Sequence, residues 1–149
     1  MITTPHTYAE WATVLDQFQR KTDDEAVLRA MKSGTLNWQT GVAERFAQRL
    51  VDAVNARMDA ASDKFQLDMR RSNGQESGLV RALLALRKEM AFLAQAIDLP
   101  VIPEKDRQQY VRLVRDQADR MQSSLEESAR KERSGRLAST VRNHRVNSF

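Results

Sequence analysis

A heptad repeat of apolar residues between positions 79 and 97 is the strongest constraint that this sequence places on its fold. The apolar side chains recur at steps of four, three, four, three and four residues, at Leu79, Leu83, Leu86, Met90, Leu93 and Ile97. This coiled-coil spacing places all six side chains on one stripe of an α-helix. Because Val80, Leu84 and Phe92 widen the stripe, we expect this helix, over residues 77–98, to contact more than one neighbour.

The rest of the chain favours the same class of structure. Five Gly and three Pro among 149 residues leave few turns. No run of four to eight residues alternates apolar and polar side chains in the way that a half-buried strand requires. The sequence therefore predicts an all-α protein, an antiparallel helical bundle whose three long helices cover residues 40–72, 77–98 and 103–132.

Two further apolar stripes run along the first and third long helices. The first stripe consists of Val42, Phe46, Leu50, Val54, Met58, Ala61, Phe65 and Met69. The second stripe is more polar and consists of Tyr110, Val114, Ala118, Met121 and Leu125. Its outer side carries acid–base pairs four residues apart, which include Arg115–Asp119 and Asp116–Arg120. The middle helix is the shortest, so its neighbours overhang it, and either the N-terminal hairpin or a second copy of the chain would cover their apolar ends.

Two helix-start signals define an N-terminal helical hairpin over residues 1–34. Thr7 and Glu10 form a capping box, and the helix that follows carries a stripe of Trp11, Val14, Leu15 and Phe18. A second box, Thr22 to Glu25, begins a shorter helix that ends at Gly34. We expect this hairpin and the three long helices, over 40–132, to form one bundle domain that spans residues 1–132.

Positive charge is concentrated in residues 130–149, which we call the basic segment. This segment carries a net charge of +5, whereas residues 1–129 contain 18 bases and 19 acids. Its six bases are Arg130, Lys131, Arg133, Arg136, Arg142 and Arg145. We expect residues 133–149 to form a basic tail outside the bundle. These bases and Phe149 would bind a protein partner with an acidic surface, or a nucleic-acid backbone.

Several classes of chemistry lack their sequence signatures here. The chain has no cysteine, and therefore neither disulfides nor thiolate zinc sites. His6 and His144 stand near opposite ends of the sequence, and no Gly-rich phosphate-binding motif occurs. Asp52, Asp59 and Asp63 share part of one helical face, which favours a solvated acidic stripe over a metal site. We therefore expect no catalytic residue, no cofactor and no metal ligand.

The expected function follows from these patterns. Four charges, Arg81, Arg87, Lys88 and Glu89, interrupt the most apolar helix, and the first residues lack the pattern of a secretory signal. We therefore expect a cytoplasmic protein with no membrane partner. The sequence predicts a non-enzymatic helical assembly or adaptor protein, a subunit of a larger complex that docks through its basic tail and overhanging helices and that can pair with a second copy of itself.

The alternative is a nucleic-acid-binding accessory protein that contacts the phosphate backbone and does not read bases. Arginine supplies most of the charge of the basic segment, and its planar guanidinium suits phosphate oxygens. Arg45, Arg49 and Arg57 on the first long helix would extend such a surface. The segment has no interleaved aromatic residues on which bases would stack, so the contacts would be independent of sequence.

Overall fold

The computed structural model describes residues 2–39, 41–132 and 135–149. Helices account for 76% of the structure, and these residues contain no strand, which confirms the predicted all-α class. The six helices that the described residues form are α1 (Tyr8–Arg20), α2 (Asp24–Ser33), α3 (Val42–Arg71), α4 (Glu76–Ile97), α5 (Glu104–Arg130) and α6 (Arg136–Asn143). Within the described ranges, no helix is both long and apolar enough to cross a bilayer.

The chain divides into two compact units. Unit 1 comprises Met1–Met58 and Gln95–Val111, and unit 2 comprises Asp59–Ala94 and Arg112–Phe149. The boundaries fall inside α3, α4 and α5, so each of these helices contributes residues to both units. The division into residues 1–132 and 133–149 that we expect from the sequence stays a prediction.

α1 begins at the predicted capping box. Thr7 Oγ1 accepts a hydrogen bond from Glu10 N, and Glu10 Oε1 accepts one from Thr7 N, both at 3.2 Å. The helix ends at Lys21, whose φ of 58° is left-handed and whose amide donates back to Gln17 and Phe18. The buried residues of α1 are those of the predicted stripe, Trp11, Val14, Leu15 and Phe18.

The N-cap of α2 is Asp23 and not Thr22. Asp23 Oδ1 accepts a hydrogen bond from Ala26 N at 3.3 Å, whereas Thr22 Oγ1 donates to Gln17 O at 3.3 Å. The predicted capping box at Thr22 is therefore wrong, because the helix begins at Asp24 and the carboxylate of Asp23 caps it one residue later than predicted. α2 ends at Gly34, as predicted.

Packing around Trp11 fixes the chain that follows α2. Trp11 Nε1 donates to Thr35 O at 2.9 Å, and Thr35 N donates to Pro5 O at 3.0 Å. Gly34 is buried against the same indole, where an added Cβ would lie 2.4 Å from Trp11 Cζ2 and 2.9 Å from Pro5 Cγ. Any side chain at position 34 would displace the indole, so the close approach requires glycine.

A buried arginine joins α3 to both helices of the N-terminal hairpin. Arg57 is 4% exposed, and its guanidinium donates to both carboxylate oxygens of Asp24, at 2.9 and 3.0 Å. It also donates to Phe18 O at 3.1 Å and lies 4.8 Å from the centroid of the Phe18 ring. The expectation that Arg57 extends a nucleic-acid surface is therefore wrong, because its charge is held inside unit 1.

The predicted seam of α4 is buried over its full length. No residue of the seam is more than 5% exposed, at Leu79, Leu83, Leu86, Met90, Leu93 or Ile97. Of the three residues that widen it, Val80 and Phe92 are half-buried and Leu84 is exposed. In the turn before α4, Asn73 and Gly74 have left-handed φ values of 52° and 74°, which stops α3 from continuing.

The predicted stripes of α3 and α5 are buried unevenly. The four stripe residues of α3 from Phe46 to Met58 are buried, whereas Phe65 and Met69 are only half-buried. On α5, Val114 and Ala118 are buried, whereas Met121 and Leu125 are half-buried. The first residues of the two stripes, Val42 and Tyr110, are half-buried in unit 1, and the half-buried Phe65, Met69, Met121 and Leu125 all belong to unit 2. This unit therefore leaves part of its apolar surface incompletely covered.

Replacing Asp24 should destabilise the protein far more than replacing its neighbour Glu25. Asp24→Ala removes two charge-assisted hydrogen bonds from a buried guanidinium, and we expect the free energy of unfolding to fall by about 3 kcal/mol. Glu25→Ala removes an exposed pair with Arg29 and should cost about 0.5 kcal/mol or less. Urea unfolding followed by circular dichroism measures both losses, and equal losses would contradict the role given to Arg57.

Candidate partner-binding site

The basic segment folds back onto unit 2. α6 covers Arg136–Asn143, and the buried residues here are Ala138, Thr140, Val141 and Val146. Ala138 and Val141 stand three residues apart and so share one face of the helix. Apolar and polar contacts therefore hold one side of residues 135–149 within unit 2, whereas the expectation that residues 133–149 form a tail outside a bundle domain stays a prediction.

Gln122 of α5 holds the segment through both ends of its side-chain amide. Its Oε1 accepts a hydrogen bond from Val146 N at 3.0 Å, and its Nε2 donates to Val141 O at 3.4 Å. Gln122 is 2% exposed, so water competes little for these bonds. Sequence reasoning missed this residue. The one available signal was a polar side chain four positions after Ala118, where the stripe of α5 continues.

A second anchor joins the start of α4 to α6. Glu76 Oε1 accepts a hydrogen bond from Thr140 Oγ1 at 3.0 Å, and Glu76 Oε2 accepts one from Arg136 Nε at 2.9 Å. Thr140 is buried, so its bond to the carboxylate is partly shielded from solvent. The ion pair with Arg136 is largely exposed and adds little stability by itself. Arg136 is thus held in place by its own chain.

The residues beyond Val146 contact α5. Arg115 Nη1 donates to Phe149 O at 3.2 Å, and Arg115 Cζ lies 5.3 Å from the centroid of the Phe149 ring. Asn147 Nδ2 donates to Asp119 Oδ1 at 2.9 Å. The sequence pairs Arg115 with Asp119, but in the structure both side chains hold the basic segment, because helix-surface ion pairs are weak and yield to tertiary partners. Phe149 is half-buried and contacts its own chain.

Five of the six predicted cations lie within the described residues, and all five are exposed. They are Arg130, Lys131, Arg136, Arg142 and Arg145. Arg133 lies outside the described residues. Arg142 Nε donates to Ala138 O at 3.3 Å, and Arg145 Nε donates to Asn147 Oδ1 at 3.2 Å. Both acceptors are uncharged, so the positive charge of these two side chains remains available to solvent.

An apolar groove of about 560 Å³ lies in unit 2, beside the basic segment. Phe65 and Met69 of α3 line it, as do Met121 and Leu125 of α5. All four are half-buried members of the predicted stripes. The groove is within the range of about 300–1,000 Å³ that is typical of binding sites in proteins.

Two other helices complete the groove. Leu79 and Leu86 belong to the buried seam of α4 and form its floor. Leu137 and Val141 of α6 also line it, so the basic segment forms part of its wall. The residues that precede and follow this pair, Arg136 and Arg142, are exposed cations. The groove is therefore apolar inside, and its α6 edge is positively charged.

Arg120 provides the one charge among the described side chains that line the groove; the others are apolar, hydroxyl or amide groups. Its Nε and Nη2 donate to Gln117 Oε1 at 3.2 and 2.9 Å. The sequence pairs Arg120 with Asp116, whereas the structure gives it an uncharged partner in the groove. A guanidinium that is oriented by an amide keeps its positive charge for a carboxylate that enters the site.

The titratable groups outside this region are dispersed. His6 lies in unit 1 with its Nδ1 2.7 Å from Thr35 Oγ1, and His144 lies in unit 2 with its Nδ1 3.0 Å from Thr140 O. Burial and the nearby Asp106 carboxylate raise the pKa of the Tyr110 phenol, which is therefore neutral at physiological pH. Among the described residues no three His, Cys, Asp or Glu side chains converge on a metal-sized site. That the chain has no catalytic residue and no cofactor stays a prediction.

The chain was compared with known proteins at three levels. No protein-family model, no curated protein sequence and no solved structure matches it. Its function is therefore inferred from the basic segment and the adjoining groove.

Replacing Gln122 with methionine should loosen the basic segment. The change keeps the size of the side chain but removes the acceptor for Val146 N and the donor to Val141 O, at a cost of about 1–3 kcal/mol. We expect amide hydrogen exchange at Val146 to become about tenfold faster or more. Gln117→Met makes the same change on the same helix and should leave exchange at Val146 unaltered. If the two variants give the same protection at Val146, Gln122 is not the anchor.

Proposed function

We propose that this chain is a non-enzymatic helical assembly or adaptor protein that acts as a subunit of a larger complex and docks through its basic segment. One observation supports this more than any other. Five exposed cations are carried by a segment that Gln122, Glu76 and Arg115 hold in place. A partner would therefore meet positive charges on an ordered surface and would lose less conformational entropy on binding than with a free tail.

The proposed partner is a protein with an acidic surface. Four of the five exposed cations are arginines, namely Arg130, Arg136, Arg142 and Arg145. Arginine pairs with carboxylates through two parallel hydrogen bonds, which gives directional as well as electrostatic complementarity. Part of the proposal is that α3, α4 and α5 form an antiparallel bundle in a cytoplasmic protein. The tight turn at Asn73 and Gly74 supports this arrangement, since short connections join antiparallel neighbours.

Removing charge from the basic segment should abolish partner capture. In the segment variant, Arg130, Lys131, Arg142 and Arg145 are all changed to Gln, and Arg136 is kept because it pairs with Glu76. The matched control changes four other exposed cations to Gln, at Lys32, Arg87, Lys88 and Lys105. Both variants lose the same charge. Tagged proteins expressed in the source cells are purified, and the bound proteins are quantified by mass spectrometry.

We expect proteins that the wild type and the control both retain to be depleted from the segment variant by about tenfold or more, because rim cations set specificity and association rate. Circular dichroism of the two variants checks that both remain folded. If the segment variant retains the same partners as the control, docking through the basic segment is wrong. If both variants lose them equally, net charge and not this surface is responsible.

The alternative function is binding to a nucleic-acid backbone. Its supporting observation is that Arg142 and Arg145 donate to uncharged groups, so that phosphate oxygens would not have to displace a carboxylate. Arg45 and Arg49 of α3 are exposed as this alternative requires, in contrast to the buried Arg57. The arginines would contact phosphates without distinguishing one base from another.

A salt series separates the two functions. If the five described cations of the basic segment contact duplex DNA, the logarithm of the association constant should fall against log salt with a slope of about −4 to −5. Fluorescence anisotropy of a labelled random duplex and of a labelled single strand measures this slope. In the segment variant, which lacks four of these cations, the slope should be shallower by about 4. No binding at low salt would eliminate the nucleic-acid alternative.

A further inference from the structure

The sides of the unit 2 groove are formed by helix faces with regular spacing. On α3 the lining residues are Ser62, Phe65, Gln66 and Met69, at intervals of three, one and three. On α5 the lining residues from Gln117 to Ser128 keep the same intervals. Two such faces present ridges that interdigitate with the side chains of a third helix. The groove is therefore shaped for a helix whose anchor residues recur at i, i+3, i+4 and i+7.

The apolar lining of the groove is incompletely covered by the chain. Phe65, Met69, Met121 and Leu125 are all half-buried, although they continue stripes that are buried from Phe46 to Met58 and at Val114 and Ala118. An apolar surface that is contiguous and bordered by polar residues marks an interaction site. Ser124 and Ser128 provide such a border on α5. An apolar helix face would bury this surface.

The positive charges in and beside the groove favour an acidic occupant. Among the described side chains that line the groove, Arg120 carries the one charge and none is a carboxylate. Arg136 and Arg142 carry positive charge at the α6 edge. A symmetric contact through this face would bring two positively charged surfaces together, which is unfavourable. An acidic occupant would instead meet Arg120 and Arg142, since Arg136 is already paired with Glu76.

We infer that the unit 2 groove binds one amphipathic helix of the partner, with an acidic residue of that helix paired to Arg120, an inference that rests on the proposed docking function. The apolar face of the helix lies on Leu79, Leu86 and the half-buried stripe residues. Its flanking Asp or Glu side chain accepts hydrogen bonds from the Arg120 guanidinium, which Gln117 already orients.

Two synthetic peptides and the full chain test this inference. Both peptides are fluorescein-labelled helices of about 18 residues with leucines at i, i+3, i+4, i+7, i+8 and i+11. Their polar positions carry Glu and Gln in the acidic peptide, and Lys and Gln in the basic peptide. Fluorescence anisotropy should show saturable binding of the acidic peptide and binding about tenfold weaker or less for the basic peptide.

Two tryptophan variants then locate the binding site. Ser124→Trp places an indole in the groove, whereas Ser123→Trp places one on an exposed neighbouring position of α5 that does not line it. We expect Ser124→Trp to lower the affinity for the acidic peptide about tenfold or more, and Ser123→Trp to change that affinity by less than about twofold. Arg120→Glu should reverse the preference, so that the basic peptide binds more tightly than the acidic one.

Several results would overturn the inference. These are failure of both peptides to bind, equal affinity for the two peptides, or equal effects of Ser124→Trp and Ser123→Trp. A dimer of the wild type that Ser124→Trp abolishes would assign the groove to a second copy, which also overturns it. If Ser124→Trp keeps the partners that the segment variant loses, the groove inference fails and the docking function stands. If the segment variant keeps them while the peptides behave as expected, the docking function fails on its own.

Discussion

Burial of the α4 seam is the interaction on which the rest of unit 2 depends. Its residues from Leu79 to Leu93 are at most 5% exposed. Complete burial of one such side chain contributes about 1.5–3 kcal/mol, so the five together contribute about as much as the net stability of a typical domain, which is about 5–15 kcal/mol. Leu79 and Leu86 belong at once to this seam and to the floor of the groove. The element that stabilises the unit therefore also shapes the surface that we propose for partner binding.

The helices were predictable from sequence because their signals are local. The expected ranges 40–72, 77–98 and 103–132 lie within two residues of α3, α4 and α5 as observed. Apolar periodicity fixes the body of each helix, and caps and left-handed residues fix its ends. At the start of α2 the sequence contained two cap candidates, Thr22 and Asp23. Both residue types are favoured at an N-cap, so residue preference alone does not decide which of them begins the helix.

The position of the basic segment could not be predicted from local signals. Gln122 reaches Val141 and Val146 across 19 and 24 residues, through hydrogen bonds that leave no periodic trace in the sequence. The segment also has few apolar residues, so its pattern resembles that of a solvated tail. The exposure of the cations was easier to predict, because a charged side chain stays in water without any specific contact. Arg130, Lys131, Arg136, Arg142 and Arg145 are all at the surface.

The sequence did not predict the groove itself, but only apolar surface on two helices that another element would have to bury. Stripes on the first and third long helices predicted apolar surface that a hairpin or a second copy would bury, and the structure leaves Phe65, Met69, Met121 and Leu125 half-buried. The nature of the cover depends on Arg120, whose expected partner Asp116 is replaced by Gln117. The exchange of a carboxylate for an amide thus leaves the positive charge of Arg120 without a carboxylate partner in the groove.

The bonds of Glu76 have a consequence for how the protein folds. This carboxylate meets Arg136 and Thr140 across 60 and 64 residues, and contacts that distant in the chain form late because a long loop must close first. Until α6 docks, the groove lacks the wall that Leu137 and Val141 supply. A partly folded chain that has not yet formed the Glu76 bonds therefore exposes a wider apolar cleft than the native protein, and docking of α6 protects it from aggregation.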